Sequence, residues 1–73
     1  MAPGLLKRSL VLAGHRTSLA LEAEFWSVLD EMAAVKDISL ARLVEQIDSG
    51  RADGSLASAC RLFALAQARQ VTN

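Results

Sequence analysis

The apolar residues of this chain change their period between Arg16 and Phe25. From Arg16 to Leu21 polar and apolar positions alternate, with Thr17, Leu19 and Leu21 on one side and Arg16, Ser18 and Ala20 on the other. That is the two-residue repeat of a half-buried strand. From Phe25 onward the spacing is helical. A short strand ahead of helices constrains the fold more than any other feature, because its backbone N–H and C=O groups require partners. With 73 residues there is room for one domain, near the roughly 70 to 80 residues below which a single core contributes only a few kcal/mol. Oligomerisation is therefore a serious expectation.

The helical part divides into three. Residues 23–36 place Phe25, Leu29, Met32 and Ala33 on one stripe with Trp26 beside it, and Glu22 and Glu24 suit the positive end of the helix dipole. Asp37 and Ile38 interrupt the pattern. Ser39 is a good cap for a second helix over 39–48, in which Leu40, Leu43, Val44 and Ile47 follow the i, i+3, i+4, i+7 template. DSGRADG, 48–54, is a turn-rich connection. A third helix over 55–69 carries Leu56, Ala59, Cys60 and Phe63 on one side and Leu62, Leu65 and Ala66 on a second apolar strip. Upstream, residues 1–6 contain Pro3 and Gly4 and are expected to fray. Ser9 to Ala13 has two open courses, a fold-back alongside the strand or an extended arm.

Net charge is zero, but its distribution is uneven. Residues 1–21 hold Lys7, Arg8 and Arg16 with no Asp or Glu, whereas residues 22–73 hold eight acids against five bases. A basic segment on an acidic body concentrates positive potential along the alternating strand, a pattern that points to a polyanion partner. Solubility of an exposed strand edge is the competing explanation.

Catalytic chemistry finds no support. His15 is the only histidine, with no visible partner to orient it as a base, and Cys60 sits among apolar helix positions where a cysteine behaves as a small hydrophobe. The acids Glu22, Glu24, Asp30 and Glu31 alternate with apolar residues and read as a solvated helix face. LAGH and GSLASA lack the spacing of a phosphate-cradling loop. One cysteine allows neither an internal disulfide nor a cysteine zinc site, and no enzyme activity, metal or cofactor is expected. No apolar run reaches the roughly 18 residues of a membrane span, and LVLAG is too short for a signal-peptide core, so a cytoplasmic protein is expected.

The strand RTSLAL, the helix entry EAEFW, the run to AAVKD and the second-helix start ISLARLVEQI together resemble the ribbon-helix-helix DNA-binding proteins, the fold of the Arc and MetJ repressors. The segment KRS, GHRTS before the strand, LE with FW soon after, and SACRLF in the third helix are similar to a short bacterial subgroup of that family. The resemblance covers residues 7–65. It implies a mainly α protein with one short strand, an intertwined homodimer with an intermolecular two-stranded antiparallel ribbon, and an extra C-terminal helix. Leu19, Leu21, Phe25, Leu29, Leu43, Ile47 and Phe63 would form the dimer core.

It also implies a transcriptional regulator that inserts its ribbon into the major groove of double-stranded DNA. Arg16, Ser18 and Ala20 would face base edges, where arginine can grip guanine, serine can donate or accept, and alanine can touch only a thymine methyl. The backbone at Ser39 and Leu40 would hold a phosphate at the second helix's N-terminus. Lys7, Arg8, His15 and Arg42 are further phosphate candidates. Association of dimers on DNA, an antitoxin role with a toxin partner, and a dimeric interaction module without DNA affinity remain as other expectations.

Overall fold

The computed structural model describes residues 4–51 and 53–71. Two strands, β1 (Leu6–Leu12) and β2 (His15–Leu21), precede three helices, α1 (Ala23–Lys36), α2 (Leu40–Ser49) and α3 (Leu56–Val71). The strands form an antiparallel two-stranded sheet running from Leu6 opposite Leu21 to Leu12 opposite His15. Where one strand was expected there are two, and β2 pairs along one edge with β1 of its own chain. Ser9 to Ala13 takes the fold-back course, and Leu6, expected to fray, opens β1; residues 1–3 lie outside the described residues.

The turn explains the fold-back. Ala13 and Gly14 have φ values of 51° and 83°, both positive, as in the two-residue type I′ turn whose twist matches that of the flanking strands. Gly14 takes this conformation freely, whereas Ala13 carries a Cβ and is strained there. The strained residue is held from outside. Its N–H donates to Glu45 Oε2 on α2 at 2.8 Å.

Directly opposite residues share a face, so Arg8, Leu10, Leu12, Thr17, Leu19 and Leu21 turn toward the helices. Leu12, Leu19 and Leu21 are buried there with Trp26, Leu29, Ala33, Leu43, Val44 and Cys60. Four residues expected to need a dimer, Leu19, Leu21, Leu29 and Leu43, are buried within the single chain; Phe25, Ile47 and Phe63 pack against the same cluster, partly buried. β1 contributes Leu12 to this cluster, with Leu10 packed against it.

Two arginines clasp α1 from either side. Arg8 on β1 makes two contacts of 3.1 Å to the carboxylate of Asp30 and lies 4.5 Å from the ring centre of Trp26. Trp26 itself donates through Nε1 to the Leu6 carbonyl at 2.7 Å. Arg61 on α3 reaches Glu22 at 2.9 Å and stands over the Phe25 ring at 5.9 Å. Helix ends are closed locally. Asp37 takes the left-handed conformation, φ 58°, and its N–H and that of Ile38 return to the carbonyls of Ala34 and Ala33 at 3.1 and 3.0 Å. Ile38, which follows this left-handed residue, packs against the core. Among the described residues no helix is long and apolar enough to cross a membrane.

Candidate nucleic-acid interface

A two-residue turn makes Leu12 and His15 the first hydrogen-bonded pair of the ladder, and such pairs then alternate with non-hydrogen-bonded ones. The face turned away from the helices is therefore built from the second kind: Lys7 opposite Ala20, Ser9 opposite Ser18, and Val11 opposite Arg16. Side chains in these pairs stand about 4.5 to 5.5 Å apart at Cβ. The backbone groups of the same residues point outward along the two edges of the ribbon. No third strand lies along either edge among the described residues.

Charge separates the two faces further. Arg8, Arg42, Arg51 and Arg61 are each tied to a carboxylate at 2.9 to 3.5 Å. Lys7 and Arg16 have no ion pair among the described residues, and both are exposed. No acid shares their face. Four residues of strand separate the Val11–Arg16 pair from the Lys7–Ala20 pair, about 13 Å. The result is a narrow, flat, acid-free surface with a cation at each end and two serine hydroxyls between them.

The remaining sequence candidates are dispersed. Arg8 is on the inner face, held by Asp30 and Trp26. His15 stands at the rim of a cleft of about 580 Å³ with Glu45, Asp48 and Arg51, acidic company for a phosphate. The charged groups of that cleft are already engaged: Glu45 with Ala13 and Arg42, Asp48 with Arg51 at 2.9 Å. Ser39 caps α2, its Oγ accepting from the Arg42 N–H at 3.0 Å, which leaves the Leu40 N–H in the unsatisfied first turn. Arg42 is exposed beside it, within 3.5 Å of Glu45. The contact between α2 and the hairpin runs through Glu45, nearly two turns beyond Ser39. Burial pushes the Cys60 thiol up to about 11, so it is protonated and inert at neutral pH. Among the described residues no three His, Cys, Asp or Glu side chains cluster as a metal site.

Two members of the outer face, Ser9 and Val11, were missed from sequence. The signal that finds them is the pair Ala13–Gly14, which marks a hairpin turn once Lys7 to Leu12 is read as a strand.

No curated protein and no solved structure matches the chain. A family model described as the ribbon-helix-helix domain does match, over residues 5–68, a span that takes in the hairpin, α1, α2 and most of α3. On that match and on the order ribbon, helix, helix, the chain belongs to the ribbon-helix-helix family of DNA-binding domains, here with a C-terminal helix added.

Proposed function

We propose that the protein is a sequence-specific regulator that binds double-stranded DNA as a homodimer, laying the outer face of the hairpin on the floor of the major groove. The observation that carries this reading is the pair of unneutralised cations, Lys7 and Arg16, on an acid-free two-stranded ribbon. A two-stranded ribbon is one of the elements the groove admits, and Arg16, Ser18 and Ala20 face base edges in that pose. Ser39 and Leu40 hold a backbone phosphate through the free donors of the α2 N-terminus, with Arg42 beside them. The two copies meet through α3, where Leu62 and Leu65 are 64% and 51% exposed beside the partly buried Phe63. No reaction is assigned to the protein.

The exposed leucines also favour a second reading, a partner-binding module that has lost DNA affinity. Retention on random-sequence DNA at low salt, followed by selection from a random pool, separates the two. A regulator is retained, releases as salt rises, and enriches a motif with two-fold symmetry. Flow-through at low salt favours the module. Sedimentation at low micromolar concentration reads the dimer directly, and a folded monomer there rejects the homodimer.

A further inference from the structure

We infer that Glu45 is a positioning residue for DNA binding, whose carboxylate ties the hairpin turn to α2 so that the ribbon and the start of α2 meet the duplex as one rigid unit. This rests on the DNA-binding reading above and deepens it.

The hairpin is gripped unevenly along its length. Leu12, Leu19 and Leu21 are buried against the helices, and at the end far from the turn Trp26 Nε1 donates to the Leu6 carbonyl. Ala13, Gly14, His15 and Arg16 are all exposed, so packing does not hold the tip beyond Leu12. The hydrogen bond that reaches this tip from the helices is the one from the Ala13 N–H to Glu45 Oε2, at 2.8 Å. In a two-residue turn that N–H lies outside the strand ladder. A carboxylate acceptor makes the bond a charge-assisted one. It also holds an alanine at a φ of 51°, a conformation that its Cβ disfavours.

Glu45 reaches the other contact surface too. Its Oε1 lies 3.5 Å from the guanidinium of Arg42, whose own N–H donates to the Ser39 cap at 3.0 Å. One carboxylate therefore joins the turn to the first turn of α2. The neighbouring side chains of α2 are not placed to replace it. Asp48 is engaged by Arg51 at 2.9 Å, and the Ser49 hydroxyl donates back to the Gln46 carbonyl at 2.9 Å.

The consequence for binding follows from what each surface does. Phosphate contacts at Ser39 and Leu40 set orientation and carry no sequence information, whereas the ribbon carries the specificity. The correct site requires both at once, and a loose joint between them adds an ordering cost that is met only on binding. Random DNA is held through either surface in any register. Loss of the tie therefore lowers affinity for the correct site and spares affinity for other sequences.

The experiment selects a binding sequence from a random pool with the wild type, then measures affinity for it and for random DNA. The variants are Glu45→Gln, Glu45→Ala, and Ala13→Gly combined with Glu45→Ala. Both substitutions at 45 remove the same charge, but only glutamine keeps an acceptor, so the difference between them reads the tie apart from electrostatics. Glycine at 13 relieves the left-handed turn without restoring the tie. Glu45→Ala is expected to lower the specific-to-random ratio about ten-fold, and Glu45→Gln to retain most of it. The double variant should regain melting temperature but not the ratio. Amide exchange at Ala13 should be fast in Glu45→Ala and slow in Glu45→Gln. Trp26 emission reports the far end of the hairpin and shows that each variant is folded; if Glu45→Ala loses it, the double variant, with its relaxed turn, carries the comparison. If the alanine and glutamine variants keep equal ratios, or the double variant regains the wild-type ratio, Glu45 serves the turn alone and the inference fails while the function stands. If the wild type enriches no sequence, the DNA-binding reading fails and takes the inference with it.

Discussion

Lys7 and Arg8 are adjacent, equally charged and on the same strand, yet the fold gives them opposite fates. Arg8 turns inward, where Asp30 takes both of its guanidinium contacts and the Trp26 ring takes its face. Lys7 turns outward and meets no acid among the described residues. The same division runs along the whole hairpin. Its inner face carries Leu12, Leu19 and Leu21, buried against three helices, and its outer face carries serines and unneutralised cations. Counting basic residues in the first 21 positions treats all of them as one patch. The register shows that one of the three is a fastener between β1 and α1.

The comparison breaks most completely if the support under the inner face is removed. Truncation after Gly54 deletes Cys60 and Ala64, both fully buried, and Phe63, packed on the core. It also removes the Arg61 tie to Glu22. The loss is expected to be several kcal/mol, enough to unfold a chain of this size, and a dichroism melt of the truncated protein checks it. Leu21→Ala is the milder version. That residue has no exposed surface and its truncation should cost about 2 to 5 kcal/mol in denaturant titration, whereas outer-face substitutions should stay within about 0.5 kcal/mol of the wild type.

Arg16→Ala and Arg8→Ala sharpen the contrast between faces. The first should leave stability unchanged and remove about 1 to 3 kcal/mol of discrimination at one base-pair position in each half-site. The second should do the reverse. Its ion pair is half exposed, with side chains 40% and 48% accessible, so the pair contributes little by itself. With the Trp26 contact added, the cost is about 1 kcal/mol of stability, with the binding motif unchanged. Competition binding against specific and random DNA, run beside denaturant titration, reads both axes. Equal losses on both axes for either variant would erase the distinction.

Ser39→Ala extends the comparison beyond the hairpin. The lost cap should cost about 1 kcal/mol, and if the helix start holds phosphate, affinity should fall for all DNA sequences together. A change in motif at that variant would move Ser39 from holding to reading.

The helical part of the fold was legible because its signals are local. Leu40, Leu43, Val44 and Ile47 keep a single stripe, Ser39 is a cap, and Asp37–Ile38 is a break whose left-handed residue the structure shows. The outward side of β2 was legible for the same reason, since alternation from Arg16 to Leu21 is unbroken. β1 was not. Arg8 faces inward and Val11 outward, so its polar pattern runs against the pleat, and what reverses the usual order at Arg8 is a tertiary partner, Asp30, 22 residues away. The turn was equally obscure, because alanine at its first central position gives a weaker signal than Asn-Gly, and the group that stabilises it, Glu45, comes from α2. Without these two long-range contacts, the local pattern of Ser9 to Ala13 fits a fold-back and an extended arm equally.

The smallest effect concerns the second clasp on α1. The hydrogen bond from Arg61, then the backbone N–H of Glu22 itself, and least the Arg61 charge hold the Glu22 carboxyl below its ordinary range against an opposing desolvation. A carboxyl whose pKa is lower in the folded state contributes stability that is fully present above its unfolded value, near 4.3, and is lost as pH falls through the folded value. Glu22 is solvent-accessible, so the contribution is small, but it has a direction that neither packing nor net charge imitates. Wild type should exceed Glu22→Gln in melting temperature at neutral pH, and the two curves should converge as pH drops below about 4. The Arg8 clasp supplies the contrast, because the Glu22→Gln variant leaves it intact and Trp26 emission should then track the wild type throughout. A gap between the two melting curves that stays constant into acid would mean that Arg61 acts on α1 through its stacking over Phe25 and not through the Glu22 carboxylate.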